Sequence, residues 1–163
     1  MSDLHQRLRR GENFVLDGAL GTELVNRGVP MHGTAWSATA LFTHSAIVRD
    51  VHQAYVNAGA QIHIANTFSS SRHSLETAGQ GDRTVEANQR AVMLVREAIE
   101  LAQPSFDTWV AGSISTFGGR VGTIIDRAKL RTSYTEQAEL LAAAGCDLIV
   151  LEMMLSHEVE MAL

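Results

Sequence analysis

Asp17 follows the apolar run Phe14, Val15 and Leu16 and precedes Gly18, so a carboxylate stands where an extended segment meets a flexible backbone. Leaving such an acid buried and unpaired would cost several kcal/mol, so it is expected to face solvent or a ligand. Asn66 and Thr67 follow a second apolar stretch, Ser113 a third and Glu152 a fourth. Two carboxylates, Asp17 and Glu152, beside the neutral groups of Asn66, Thr67 and Ser113 suit an ammonium-bearing ligand such as an amino acid. The acids would take the cation, while Gly18 and neighbouring backbone amides take the ligand's carboxylate. The same acids could instead bind a divalent metal, as in a lyase, perform general acid/base work, or merely bond to loop backbone. On the residues alone these alternatives stay open.

Other chemistries lack their signals. Residues 18–21 and 112–122 form neither a GxGxxG turn nor a P-loop, and there is no Gly-x-Ser-x-Gly nucleophile elbow. The seven histidines are scattered without ligand spacing, and most are expected to be solvated or to stand behind other site residues. Cys146 precedes its strand and reads as a packing residue at the opposite rim from the site.

The elements that position these residues follow from periodicity. Residues 4–10 read as a short amphipathic helix, 14–16 as a strand buried on both faces, and 20–26 as a turn or two of helix ended by Gly28. A long loop runs from Val29-Pro30 through Gly33 to Trp36-Ser37, the last pair being either a loop anchor or part of a lid. Residues 45–58 form the clearest helix, with Ile47, Val48, Val51, Ala54, Tyr55 and Ala58 in one stripe, Ser45 at its start and Gly59 at its end. Strands are expected at 62–65, 109–111 and 148–151. Helices are expected at 86–102 and at 133–144, the latter opened by a Ser133/Glu136 capping box, with a last helix capped by Ser156.

Residues 58–66 and 144–152 match position by position: helix end, glycine, linker, four-residue strand, polar residue. The spacing holds two strand–helix units, so the pattern is βαβαβαβ with parallel strands and right-handed crossovers. Asp17, Asn66, Ser113 and Glu152 all fall at the rim where barrels and open α/β sheets bind ligands. Four such units make half of a (β/α)8 TIM barrel. The expectation is therefore that residues 1–163 are one domain and the front half of a longer protein, or a unit completed by self-association or a second chain. An open four-stranded sheet is the rival.

Composition sets outer bounds. Of 163 residues, 45% are hydrophobic and 19% charged, which describes a globular chain rather than a disordered one. A net charge of −5 with no basic cluster beyond Arg7–Arg10 speaks against a nucleic-acid surface. No apolar run reaches membrane length, and a single cysteine excludes an internal disulfide and fits a cytoplasmic location.

Leu16-Asp-Gly-Ala-Leu-Gly-Thr-Glu-Leu24, Arg27-Gly28, Trp36-Ser37, Ala58-Gly-Ala60, Asn66-Thr-Phe68, Ala111-Gly-Ser113 and Ala144-Gly-Cys-Asp-Leu-Ile-Val-Leu-Glu152 together resemble the homocysteine S-methyltransferase family. The family includes betaine– and S-methylmethionine–homocysteine methyltransferases and the homocysteine module of cobalamin-dependent methionine synthase. The resemblance implies a TIM barrel that transfers a methyl group from an onium-type donor to homocysteine, giving methionine. It implies that Asp17 and Glu152 hold the homocysteine amino group, that Gly18 meets its carboxylate, and that Asn66 and Thr67 line the pocket. Phe68 stands where betaine-using members carry Tyr, which weakens a betaine assignment. The resemblance also implies Zn²⁺ held by three cysteines, whose role is to deprotonate the substrate thiol. This sequence has one cysteine, Cys146, and it does not match them. The chain is accordingly expected to carry the amino-acid clamp without the zinc ligands, and alone to have little or no activity. The donor-facing residues are expected in loops 33–36 and 118–122 or outside the chain.

Overall fold

The computed structural model describes residues 3–116 and 126–163. The loop expected at 118–122 lies outside them. Helix α1 (Asp3–Arg9) precedes an extended segment, and α2 (Leu20–Asn26) ends at Gly28, whose φ of +80° no β-carbon-bearing residue adopts cheaply. Two 3-10 turns, at Gly33–Ala35 and Ser37–Thr39, and the short α3 (Ala40–Thr43) fold the expected long loop into a compact strap. Then come α4 (Ser45–Asn57), β1 (Ile62–Ile64), α5 (Arg72–Glu76), α6 (Thr84–Ala102), β2 (Trp109–Ser115), α7 (Arg127–Ala143), β3 (Leu148–Glu152) and α8 (Ser156–Ala162).

Among the described residues the sheet has the order β1-β2-β3, all parallel, with Ile64 opposite Ala111 and Ser113 opposite Val150. Helices α4, α6 and α7 cover one face. There Val48, Val51, Val92, Val95, Val110, Ile114 and Leu141 form the main core. Ile62, Trp109 and Ala111 point to the other face, where Leu4 of α1 closes one end and Phe14 meets Trp109 edge-on at 5.2 Å. The two matching segments behave alike: Gly59 and Gly145 end their helices at φ of +96° and +88°, and a strand follows each.

Several expectations need correction. Residues 14–16 do not form a regular strand; only Leu16 bridges to Ile62, with Ile62 N–H donating to the Val15 carbonyl. Nor are they buried on both faces, since Val15 is 57% and Leu16 50% exposed. They lie at the sheet edge, and an edge segment has a partner on one side only. Helix α4 has His44 rather than Ser45 at its N-cap, without a side-chain cap. Its buried stripe is completed by His52 and Val56, whereas Ala54 and Ala58 are exposed. Helix α7 starts before Ser133, because the Asp126 carboxylate accepts from Ala128 N–H at 2.9 Å and caps it there. Glu136 therefore sits mid-helix, where it pairs with Arg72 instead of closing a capping box. Ser156 lies inside α8, whose start is held by the Glu158 carboxylate accepting from Leu155 N–H at 2.8 Å. No helix among the described residues is long and apolar enough to cross a membrane.

Candidate functional site

A cavity of about 220 Å³ opens past the carboxyl ends of the strands. That leaves room for a small polar molecule such as an amino acid. Its wall comes from residues 18–22, the Trp36–Ser37 strap, the end of β1 with Asn66 and Phe68, and Glu152 with Met153.

Glu152 ends β3 and is held by the Ser113 hydroxyl, which donates to its Oε2. One carboxylate oxygen is thus oriented by the neighbouring strand. Gly18 and Gly21 are required by close approach. A β-carbon at Gly18 would sit 2.8 Å from the Tyr55 hydroxyl, and one at Gly21 would sit 2.8 Å from the Trp36 ring. Trp36 adopts φ +38°, an unusual conformation for a residue with a side chain, and its ring meets Phe68 edge-on at 5.8 Å.

Asn66 lines the cavity, but both ends of its amide are engaged by the strap. Its Oδ1 accepts from the Ser37 hydroxyl at 2.7 Å and its Nδ2 donates to the Ser37 carbonyl at 2.9 Å. Thr67 does not reach the cavity. Fully buried, it accepts from Ser113 N–H at 2.8 Å and donates to the Ser113 carbonyl at 2.9 Å, tying the ends of β1 and β2 together. Gln137 of α7 donates to the Thr67 carbonyl at 2.8 Å, so the floor of the site is a buried polar layer.

Asp17 departs most from expectation. Its side chain is 2% exposed and lies behind the cavity wall, not in it. The backbone N–H donates to the Ile62 carbonyl at 2.9 Å, extending the ladder, and Oδ2 accepts from Ile64 N–H at 3.0 Å. Oδ1 has no partner among the described residues. Burial pushes this carboxyl up to about 7, the Ile64 hydrogen bond opposes that, and the Glu152 charge adds to it. The two acids are therefore near enough to feel each other.

Two of the histidines are neither solvated nor scattered. His52 and His63 are fully buried, and burial, helped by His63, drives His52 down to about 3. A histidine inside an apolar helical stripe was the available signal, since His52 follows Val51 and precedes Tyr55 on the buried face of α4. Cys146 packs beside Gly112 in the helical core, where burial raises its thiol to about 11. Among the described residues no three His, Cys, Asp or Glu side chains converge to hold a metal ion. The sequence has a single cysteine, so the three-cysteine zinc site that the resemblance implies is not made by these residues.

Comparison with known proteins gives the family. The family model described as homocysteine S-methyltransferase matches residues 14–163. Homocysteine S-methyltransferase 4 of Zea mays is 28% identical over 85% of this chain and 46% of its own length. Selenocysteine methyltransferase of Astragalus bisulcatus is 29% identical over 91% of this chain and 52% of its own. The metallated form of the homocysteine methyltransferase MmuM from Escherichia coli superposes with a TM-score of 0.83 at 25% identity, covering 96% of this chain and 59% of that one. The chain thus spans about half the length of the curated relatives it matches. With the family model matching nearly all of it, the chain belongs to the homocysteine S-methyltransferase family.

Proposed function

We propose that this chain forms the amino-acid-binding part of a homocysteine S-methyltransferase, the first four strand–helix units of a (β/α)8 barrel. The observation that carries the reading is Glu152, a carboxylate oriented by Ser113 into a cavity of amino-acid size, with a second acid directly behind the wall.

Glu152 accepts hydrogen bonds from the ligand's ammonium, and Asp17 adds its charge from behind. The backbone of Gly18 and the residues after it meets the ligand's carboxylate, since the first amides of a helix have no intrahelical acceptor. Asn66 serves by fixing Ser37, and so Trp36, over the cavity; Thr67 serves by locking the two strand ends. The apolar wall of Trp36 and Phe68 takes the aliphatic stem that leads to sulfur. In the reaction of the whole protein the thiol loses its proton, a sulfur–methyl bond forms and the donor's onium–methyl bond breaks. This chain's share of that reaction is the positioning of homocysteine, a contribution that can dominate a bimolecular transfer.

The test is calorimetric titration of the reduced chain with L-homocysteine and with its analogue lacking the amino group. Homocysteine is expected to bind and the analogue to bind at least about tenfold more weakly, with Glu152→Gln erasing the difference. Equal binding of the two ligands, or an unaltered preference in Glu152→Gln, would sink the reading.

A further inference from the structure

Behind the cavity wall lies a group of buried polar atoms that the proposed function does not use. His52 of α4 and His63 of β1 are each 0% exposed; His63 has the Ala60 backbone beside it, whereas neither ring nitrogen of His52 has a hydrogen-bond partner among the described residues. Asp17 Oδ1 is likewise without one, and His52 Nδ1 lies 3.9 Å from Asp17 Oδ2. Buried polar atoms without partners are rare in native proteins because each costs on the order of 1–3 kcal/mol. A cluster of them between one helix, one strand and the site is accounted for if they serve one another. A gap of 3.9 Å is closed to hydrogen-bond distance by a shift of about 1 Å, within reach of a small side-chain rotation.

The donor inventory fixes the direction. An ionised carboxylate only accepts, and a neutral imidazole carries one N–H and one bare nitrogen. Beside an Asp17 anion, the nitrogen that faces it must carry the hydrogen. We infer that His52 is a positioning residue for Asp17: its Nδ1–H donates to the carboxylate and holds Asp17 as an oriented anion beside the ammonium subsite. The consequence for ligand binding rests on the amino-acid reading above; the hydrogen bond itself does not.

The charged and titratable groups facing this pair are Glu152 across the rim, His63 on β1 and Tyr55 further along α4. Glu152 opposes ionisation of Asp17 and, as an ionised carboxylate, cannot donate to it, while a charged His63 would oppose protonation of His52. His52 itself stays neutral, because burial disfavours its cation. Its role is therefore that of a dipole and not of a charge.

The experiment uses the labelled full chain without ligand. Ring ¹⁵N shifts near pH 8 should show His52 as the Nδ1–H tautomer. Carboxyl ¹³C titration should show the Asp17 midpoint rising by about one unit in His52→Phe and staying near the parent's in His52→Asn, whose amide can still donate. With homocysteine, His52→Phe should bind about fivefold more weakly near pH 7, the fraction of anion lost, with most of that recovered as pH rises. An Nε2–H tautomer in the parent near pH 8 overturns the proposal without needing any variant to fold. So does an Asp17 midpoint that His52→Phe leaves unmoved. If the midpoint moves and homocysteine affinity does not, the binding role falls, and the failure then belongs to the amino-acid reading of Asp17.

Discussion

Asp17 and His52 are perturbed by the same cause, loss of water, yet they make stability respond to pH in opposite senses. The Asp17 carboxyl goes from an ordinary 3.8 to about 7. Between those values the folded state binds more protons than the unfolded one, so stability falls as pH rises through the window, and the full cost is present above it. The imidazole of His52 goes from 6.5 to about 3, so over that range the folded state binds fewer protons and stability is lost as pH falls. Between roughly pH 4 and 6.5 the two slopes offset each other; above pH 7 only the Asp17 cost remains. Asp17→Asn removes that cost while keeping an acceptor for Ile64 N–H. The variant is expected to exceed the parent in stability near pH 8, by an amount on the order of 1–3 kcal/mol, to keep less than about half of that advantage near pH 5, and to lose it only below about pH 4. Urea unfolding at the two pH values measures it, and an advantage independent of pH would refute the assignment. The sequence made Asp17 visible, as an acid after an apolar run, but not its burial. That burial depends on α4 packing across the strand end, and one chain position says nothing about what lies over it.

At the scale of elements, the site depends on how closely α2 and the Trp36 strap approach each other. Gly21 lies in the first turn of α2, where alanine would ordinarily favour the helix by up to about 1 kcal/mol. Here its β-carbon would stand 2.8 and 2.9 Å from two atoms of the Trp36 ring. Overpacking against a rigid aromatic costs on the order of 1–3 kcal/mol, so the clash outweighs the propensity gain. Gly21→Ala is therefore expected to displace Trp36, weakening homocysteine binding and shifting tryptophan emission. The emission change can be assigned, because the second tryptophan, Trp109, is only 7% exposed while Trp36 is 40% exposed. Unchanged emission and affinity would mean that the strap does not depend on Gly21. Helices α2, α4 and α6 were legible because their apolar residues recur at the helical period and glycine or proline follows. The start of α7 was not, because residues 127–132 carry no such stripe and its cap is one aspartate outside the periodic part. The strap was least legible: its turns arise from the Ser37–Asn66 bonds across the fold and from the unusual φ of Trp36, neither of which leaves a local pattern.

On the scale of the whole molecule, the two faces of the sheet are treated differently. The face under α4, α6 and α7 is closed, with Val110 and Leu141 fully buried. On the other face Phe14, Ile64, Leu148 and Val150 surround the small cluster of Ile62, Trp109 and Ala111 and are only partly buried, and Leu16 is half exposed. The repeated segment at 58–66 and 144–152 made the parallel architecture readable, because matching helix ends and strands imply matching crossovers. What covers the second face has no such signature. Apolar surface of this kind favours association at about 25 cal/mol per Å² covered, and contiguous patches of a few hundred Å² commonly mark interfaces. The 163-residue chain is thus expected to bind a hydrophobic reporter dye and to associate across this face as its concentration rises. Val150→Lys, central on that face and away from the cavity lining, should reduce both effects while sparing homocysteine binding. Sedimentation across a concentration series, run beside dye binding, separates the cases. A monomer at every concentration that also ignores the dye would mean the face is sufficiently closed by Leu4 and Phe14 alone, whereas association unaltered by Val150→Lys would place the contact elsewhere.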